Sequence, residues 1–228
     1  MLNNNAFLSE LDEIITSRHL LKHPFYQLWS EGKLSLDSLR QYAKQYYSHV
    51  LAFPTYVSGA HSNCAAIKDR QELLGNLIEE EGGQTTHAEL WLRFAEALEV
   101  SRDEVEQTVP LPETAALDAS FSDLTKRRSF IAAIAALYAY ELQLADVAES
   151  KQAGLKQFYG ITERRGLEFF IVHRSIDVVH ARTTREMLAR HTIDEESRGI
   201  AKEAVKEATD ALWSFLDGVQ REYVTKAA

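Results

Sequence analysis

The stretch Phe169-Phe170-Ile171-Val172-His173-Arg174-Ser175-Ile176-Asp177-Val178-Val179-His180 decides how this chain is read. His173, Asp177 and His180 stand four and then three positions apart. On a helix turning by about 100° per residue they fall within roughly a 60° arc. Two imidazoles and one carboxylate on a single face are donors suited to iron or manganese with coordination positions left open. The apolar neighbours Phe170, Ile176 and Val179 place much of this helix in a core. The plainer reading is three separate polar residues, each satisfied by backbone or a neighbour. Unpaired buried polar groups are costly, so three on one face favour a shared partner, and further donors are then expected elsewhere.

The rest of the chain repeats the helical pattern. Proline and glycine are scarce, at four and ten residues, and apolar residues recur at three- and four-residue spacing without strand-like alternation. The spacing predicts an all-α fold, with helices near 6–17, 24–31, 36–66, 69–82, 86–98, 121–158, 163–190 and 194–222. Ser35 and Asp194 are expected N-caps. Pro54 is expected to kink or interrupt its helix, because it lacks a backbone donor and crowds the preceding turn. Thr108 to Ser120, with Pro110 and Pro112, is expected to be a non-helical surface crossover. With hydrophobic helices on both sides of it, residues 1–228 are read as a single domain.

Composition narrows the function classes. Hydrophobic residues at 45% and charged residues at 26% are ordinary globular values. A net charge of −9 and a pI near 5.4 leave no basic stripe for a nucleic-acid backbone or an anionic membrane. The start, Met-Leu-Asn-Asn-Asn, lacks the basic and apolar regions of a signal peptide, and no run of about 18 apolar residues is evident. The expectation is a cytoplasmic protein. Its one cysteine, Cys64, has no partner for a disulfide or a Cys-x-x-Cys motif. Any metal must therefore be held by His, Asp and Glu.

Two further stretches offer such donors. In Glu79-Glu80-Glu81-Gly82-Gly83-Gln84-Thr85-Thr86-His87, Glu80 and His87 would share a face if the helix ran on through the glycines. The alternative is a charged helix end followed by Thr85 or Thr86 capping the next helix. Glu141 lies in Ile131-Ala132-Ala133-Ile134-Ala135-Ala136-Leu137-Tyr138-Ala139-Tyr140-Glu141-Leu142, where a buried acid needs a compensating partner. Three histidines and three carboxylates suffice for two metals with open positions. They do not follow the paired Glu-x-x-His pattern of ferritin-like bundles.

The order of these pieces resembles the haem-oxygenase-like di-metal oxygenases, in particular the branch typified by the chlamydial protein associating with death domains. The resemblance spans most of the chain. It rests on His23-Pro24-Phe25-Tyr26 followed by Leu36, Leu39 and Tyr42, then Glu80 with its Glu-Gly-Gly, His87-Ala88-Glu89-Leu90-Trp91, Tyr140-Glu141 and the His173/Asp177/His180 helix. It implies a bundle of about seven helices with Glu80, His87, Glu141, His173, Asp177 and His180 as the complete metal set, holding two irons or one manganese and one iron. More distant relatives of that fold are the metal-free pyrroloquinoline-quinone synthase C protein and the TenA-like thiamin-salvage enzymes, which use a cysteine nucleophile. A full donor set argues against both.

The same resemblance implies an oxygenase that makes para-aminobenzoate (4-aminobenzoate) for folate synthesis from one of its own tyrosines, using dioxygen and an external reductant. Tyr26 matches the tyrosine consumed, Tyr42 and Tyr140 match tyrosines linked to the chemistry, and Lys151 matches the proposed amino donor. A further family tyrosine falls on Phe169 or Phe170 here. Taken alone, each tyrosine reads as packing with one hydrogen bond, and Lys151 as a solvated helix-end residue. Two rival functions stand beside this one: an oxygenase acting on an external fatty acid or amine, and a non-enzymatic interaction module using acidic faces such as Asp194-Glu195-Glu196. Oligomeric state, a homodimer included, is left open.

Overall fold

The computed structural model describes residues 4–225. Ten α-helices occur among them: α1 Asn4–Ser17, α2 Pro24–Ser30, α3 Leu36–Ser62, α4 Ile67–Glu81, α5 His87–Ala97, α6 Arg102–Glu106, α7 Pro112–Lys126, α8 Phe130–Phe158, α9 Arg164–His191 and α10 Glu195–Gln220. A 3-10 turn, Leu20–Lys22, precedes α2, and a π turn, Arg221–Thr225, ends α10. No strand is present among the described residues.

Local chemistry sets most of the boundaries. Ser35 Oγ accepts from Ser38 N–H, and Asp194 with Ser197 forms a reciprocal cap at the start of α10. Pro24 opens α2, where its missing N–H costs nothing, and His23 Nδ1 accepts from Phe25 N–H. Gly160, at φ 70°, turns the chain out of α8 in the left-handed region that glycine enters freely.

Four expectations need correction. The helix expected over 121–158 is two, because Ser129 caps a new helix by accepting from Ala132 N–H after α7 has ended at Lys126. The crossover expected over Thr108–Ser120 is helical from Pro112 onward, since proline starts helices as readily as it breaks them. Pro54 does not interrupt α3, which runs unbroken from Leu36 to Ser62 with Phe53, Tyr56 and Val57 buried around it. Val179 is 48% exposed, so on that side α9 faces outward. The helix count exceeds seven partly because the short α2 and α6 are separate segments.

Buried side chains from Phe7 to Val219 form one contiguous hydrophobic cluster. Within it α8 packs against α9 and α10, α3 against α4, α5 and α7, and α5 against α9. Ala132, Ala133, Ala135, Ala136 and Ala139 are essentially inaccessible, and such small side chains let neighbouring helices approach α8 closely. By length and composition α8 is apolar enough to cross a membrane, a run that composition alone had not revealed. In this fold 72% of its most apolar window is buried. The candidate donor residues lie where α4, α5, α8 and α9 meet, and the tyrosines on α2, α3 and α8 adjoin them.

Candidate metal centre and tyrosine cluster

Each predicted donor is buried: Glu80, His87, Glu141, His173, Asp177 and His180 are between 1% and 5% exposed. His173, Asp177 and His180 share the inner face of α9, as their spacing predicts. Glu80 and His87 do not share a helix. Helix α4 ends at Glu81 with Gly82 as its C-cap, Thr86 caps α5 by accepting from Glu89 N–H, and His87 opens that helix. The turn nonetheless folds them together. Donor atoms of Glu80, His87 and His173 all lie within 4.8 Å of one another.

The polar atoms here have unusual surroundings. Glu80 Oε2 and His87 Nδ1 stand 2.7 Å apart, yet off the line of a hydrogen bond, and His87 Nδ1 has no hydrogen-bond partner. Asp177 Oδ2 and His180 Nδ1 are likewise buried without one. His173 Nδ1 lies 2.7 Å from the Phe169 carbonyl oxygen. A carbonyl only accepts, so Nδ1 carries the proton and Nε2 keeps its lone pair. Burial and the neighbouring His87 hold His173 well below the usual imidazole range, which keeps it neutral.

The carboxylates oppose one another. Burial, with Glu80 adding repulsion, pushes the Glu141 carboxyl up to about 8, although Asn76 and Thr184 pull the other way. Asp177 is raised well above the ordinary range by burial and then by Glu141 and Glu80. Orphaned lone pairs and mutually repelling acids in one dry pocket are what a bound cation would relieve, so this donor set fits a metal.

Glu141, Asp177 and His180 do not close a second set of converging atoms among the described residues. Glu141 is turned onto Asn76 Nδ2 at 2.8 Å and Thr184 Oγ1 at 3.0 Å, and His180 Nε2 lies 2.7 Å from Glu79 Oε2. Sequence reading missed Asn76, Thr184 and Glu79. Only Thr184 left a signal, since it stands four residues beyond His180 on the same face.

The tyrosines form a second cluster against the first. Tyr26 and Tyr42 share a hydrogen bond between hydroxyls at 2.9 Å, and Lys151 Nζ donates to Tyr42 Oη at 2.7 Å. Far from being solvated, Lys151 is 3% exposed. Its Nζ sits 5.0 Å to 5.7 Å from the ring centroids of Tyr26, Tyr42, Tyr46, Trp91 and Phe170. Burial lowers its ammonium to about 7. Burial also raises the Tyr26, Tyr42 and Tyr140 phenols, so all three stay protonated at neutral pH.

Gly154 makes this packing possible. A Cβ there would stand 2.7 Å from the Trp29 indole, whose Nε1–H donates to the Lys151 carbonyl at 3.3 Å. Tyr46, which sequence reading passed over, bonds to Tyr140 hydroxyl to hydroxyl at 2.9 Å. Between the clusters lies a cavity of ≈ 10 Å³, lined by residues including Tyr46, Tyr140, Lys151, Phe169 and His173. That is room for about one water-sized molecule. Phe169 stacks on His173 at 4.0 Å between ring centroids.

An all-helical bundle around a buried histidine–carboxylate pocket places the protein among haem-oxygenase-like folds. A domain of that fold from Shewanella denitrificans superposes with a TM-score of 0.78 at 19% identity, covering 98% of this chain and 93% of that one. A CADD-like protein of unknown function from Nostoc punctiforme superposes with a TM-score of 0.81, again at 19% identity, covering 99% of this chain and all of that one (100%). The chain belongs to the iron-containing redox enzyme family, whose model matches residues 40–214. The 4-aminobenzoate synthase of Nitrosomonas europaea is 42% identical over 96% of this chain and 93% of its own length.

Proposed function

We propose that this protein is a dinuclear-metal- and dioxygen-dependent synthase that makes 4-aminobenzoate from its own Tyr26, with Lys151 as amino donor, in a single turnover. One observation carries the reading: the Lys151 amine, sealed from solvent, lies 5.1 Å from the Tyr26 ring centroid and 2.7 Å from the hydroxyl that bonds to Tyr26. Similarity to 4-aminobenzoate synthases supports the product. The product would enter folate synthesis in the cytoplasm.

Glu80, His87, Glu141, His173, Asp177 and His180 would hold two iron ions, or one manganese and one iron, since both pairs accept these donors. When bound, the metals supply dioxygen activation, with electrons from an external reductant. The chain supplies the rest. A lysine with its ammonium near 7 is substantially a neutral amine at neutral pH, and so a competent nucleophile. Because burial keeps Tyr26 a phenol, oxidising it requires a proton to leave with the electron. Tyr42 Oη, placed between Tyr26 Oη and Lys151 Nζ, is the group positioned to move that proton. The closed aromatic wall excludes water that would otherwise quench an oxidised ring.

An external fatty acid does not fit the ≈ 10 Å³ cavity beside the tyrosines, since ligand pockets ordinarily enclose about 300–1,000 Å³; the ≈ 310 Å³ cleft lined by Glu141 and Asp177 is where such a substrate would have to bind. Purified protein given metal, reductant and oxygen provides the test. Tyr26→Phe should release no 4-aminobenzoate while keeping its metal content; an undiminished yield would remove Tyr26 from the account.

A further inference from the structure

Tyr46 has no part in the chemistry assigned above, yet it touches each half of it. Its ring stacks on Tyr42 with centroids 5.6 Å apart and planes inclined by 15°, and its hydroxyl bonds to that of Tyr140 at 2.9 Å. Lys151 Nζ lies 5.3 Å from its ring centroid. It is 5% exposed, and it lines the small cavity together with Tyr140, Lys151 and His173. A phenylalanine would pack the same space without a hydroxyl to desolvate.

The neighbouring position beside His173 is closed to the same role. Phe169 stacks there, and a benzene ring has no hydroxyl proton to release, so removing its electron leaves a bare cation in an apolar wall. Tyr140 stands next to Glu141 in α8 and lines the small cavity with Tyr46 and His173. The phenols therefore form a continuous series, Tyr140, Tyr46, Tyr42 and Tyr26, leading from the carboxylate cluster to the ring that Lys151 faces.

We infer that Tyr46 is a redox relay residue that carries the oxidising equivalent from Tyr140 to Tyr42. The inference rests on the self-sacrificing reading, with the dioxygen-derived oxidant of the metal centre as electron acceptor. Tyr140 first gives up one electron and its phenolic proton to that oxidant. Tyr46 then passes an electron and its proton across the hydroxyl pair, restoring Tyr140 and leaving Tyr46 as a phenoxyl radical. An electron from Tyr42 crosses the stacked rings, making Tyr46 a phenolate, while the Tyr42 proton moves to the neutral Lys151 amine. Tyr26 restores Tyr42 by giving an electron and a proton through their shared hydrogen bond, and ends as the radical. The proton held on Lys151 returns to the Tyr46 phenolate across the small cavity that both residues line, so the series has lost one electron and one proton overall, the pair that Tyr140 gave up.

Two variants test this in metal-loaded protein exposed to oxygen. Tyr46→Phe keeps the ring stack and should keep the metal content, but loss of the Tyr26 side chain, read by intact mass, should slow by about tenfold or more. Replacing Tyr46 with 3-fluorotyrosine preserves shape and hydroxyl, and freeze-quenched spin resonance should then show fluorine splitting on the transient radical. Unchanged Tyr26 loss in Tyr46→Phe, or a radical without fluorine splitting while Tyr26 is consumed, overturns the relay. A fluorine-split radical with Tyr26 left intact upholds the relay and defeats self-sacrifice instead.

Discussion

Replacing Lys151 with methionine should stabilise the metal-free protein, and by an amount that depends on pH. Burial lowers the Lys151 ammonium from 10.5 to about 7, a difference of about 3.5 pH units, which at 1.36 kcal/mol each is on the order of 5 kcal/mol against the charged form. The surrounding rings attract an ammonium by about 0.5–2 kcal/mol, too little to cancel that. Losing the bond to Tyr42 costs about 1 kcal/mol more. A net gain of about 2–4 kcal/mol remains for Lys151→Met below pH 7. Between pH 7 and about 10.5 the unfolded chain binds a proton that the folded protein does not, so wild-type stability rises with pH. The advantage of the variant should shrink by about 1.4 kcal/mol per pH unit across that window, cross zero between about pH 8.5 and 10, and leave the wild type the more stable protein at its top. Urea titrations of both proteins at pH 6, 7.5, 9 and 10 measure it. A difference between them that does not change with pH would refute the burial argument, and with it the neutral amine on which the proposed amination depends.

Other outcomes follow from the same geometry. Glu141, whose carboxyl is raised to about 8, binds a proton in the folded state that the unfolded chain releases above about 4.5. Metal-free wild type should thus lose stability relative to Glu141→Gln as pH rises from 5 to 7, at up to about 1.4 kcal/mol per unit, in parallel melts. Thr184→Val removes one of the two hydrogen bonds holding Glu141, and metal titration should show affinity lower by about 10–100-fold. Gly154→Ala drives a methyl into the Trp29 indole and should cost about 1–3 kcal/mol in unfolding free energy. Chelating the metal from loaded protein should lower Tm, because the converging donors exist only in the folded chain.

Much of the fold was legible because helical spacing, serine and aspartate caps and scarce glycine all pointed the same way. What escaped was local competition. Ser129 could cap a helix as well as extend one, and Pro112 could open a helix as well as end one. The shared buried face of His173, Asp177 and His180 on α9 was readable because a single helix fixes their angular relation. Glu80 and His87 were readable only as candidates, since their meeting depends on how a glycine turn folds. Asn76 and Glu79, on a different helix from the groups they hold, leave no periodic mark. Tyr46 did stand four residues from Tyr42 and so on the same face of α3, but nine tyrosines offer many such pairs. The burial of Lys151 depends on rings from α2, α3, α5 and α9 closing over it, which no stretch of α8 encodes alone.

The central claim is that the aromatic carbons of the product come from the protein. Protein grown with ring-labelled tyrosine, then given metal, reductant and oxygen with no added substrate, tests this most directly. The account predicts fully labelled 4-aminobenzoate at no more than one per chain, with a matching fraction of chains that have lost the Tyr26 side chain by mass. Unlabelled 4-aminobenzoate, or labelled product from chains whose Tyr26 is intact, would contradict it.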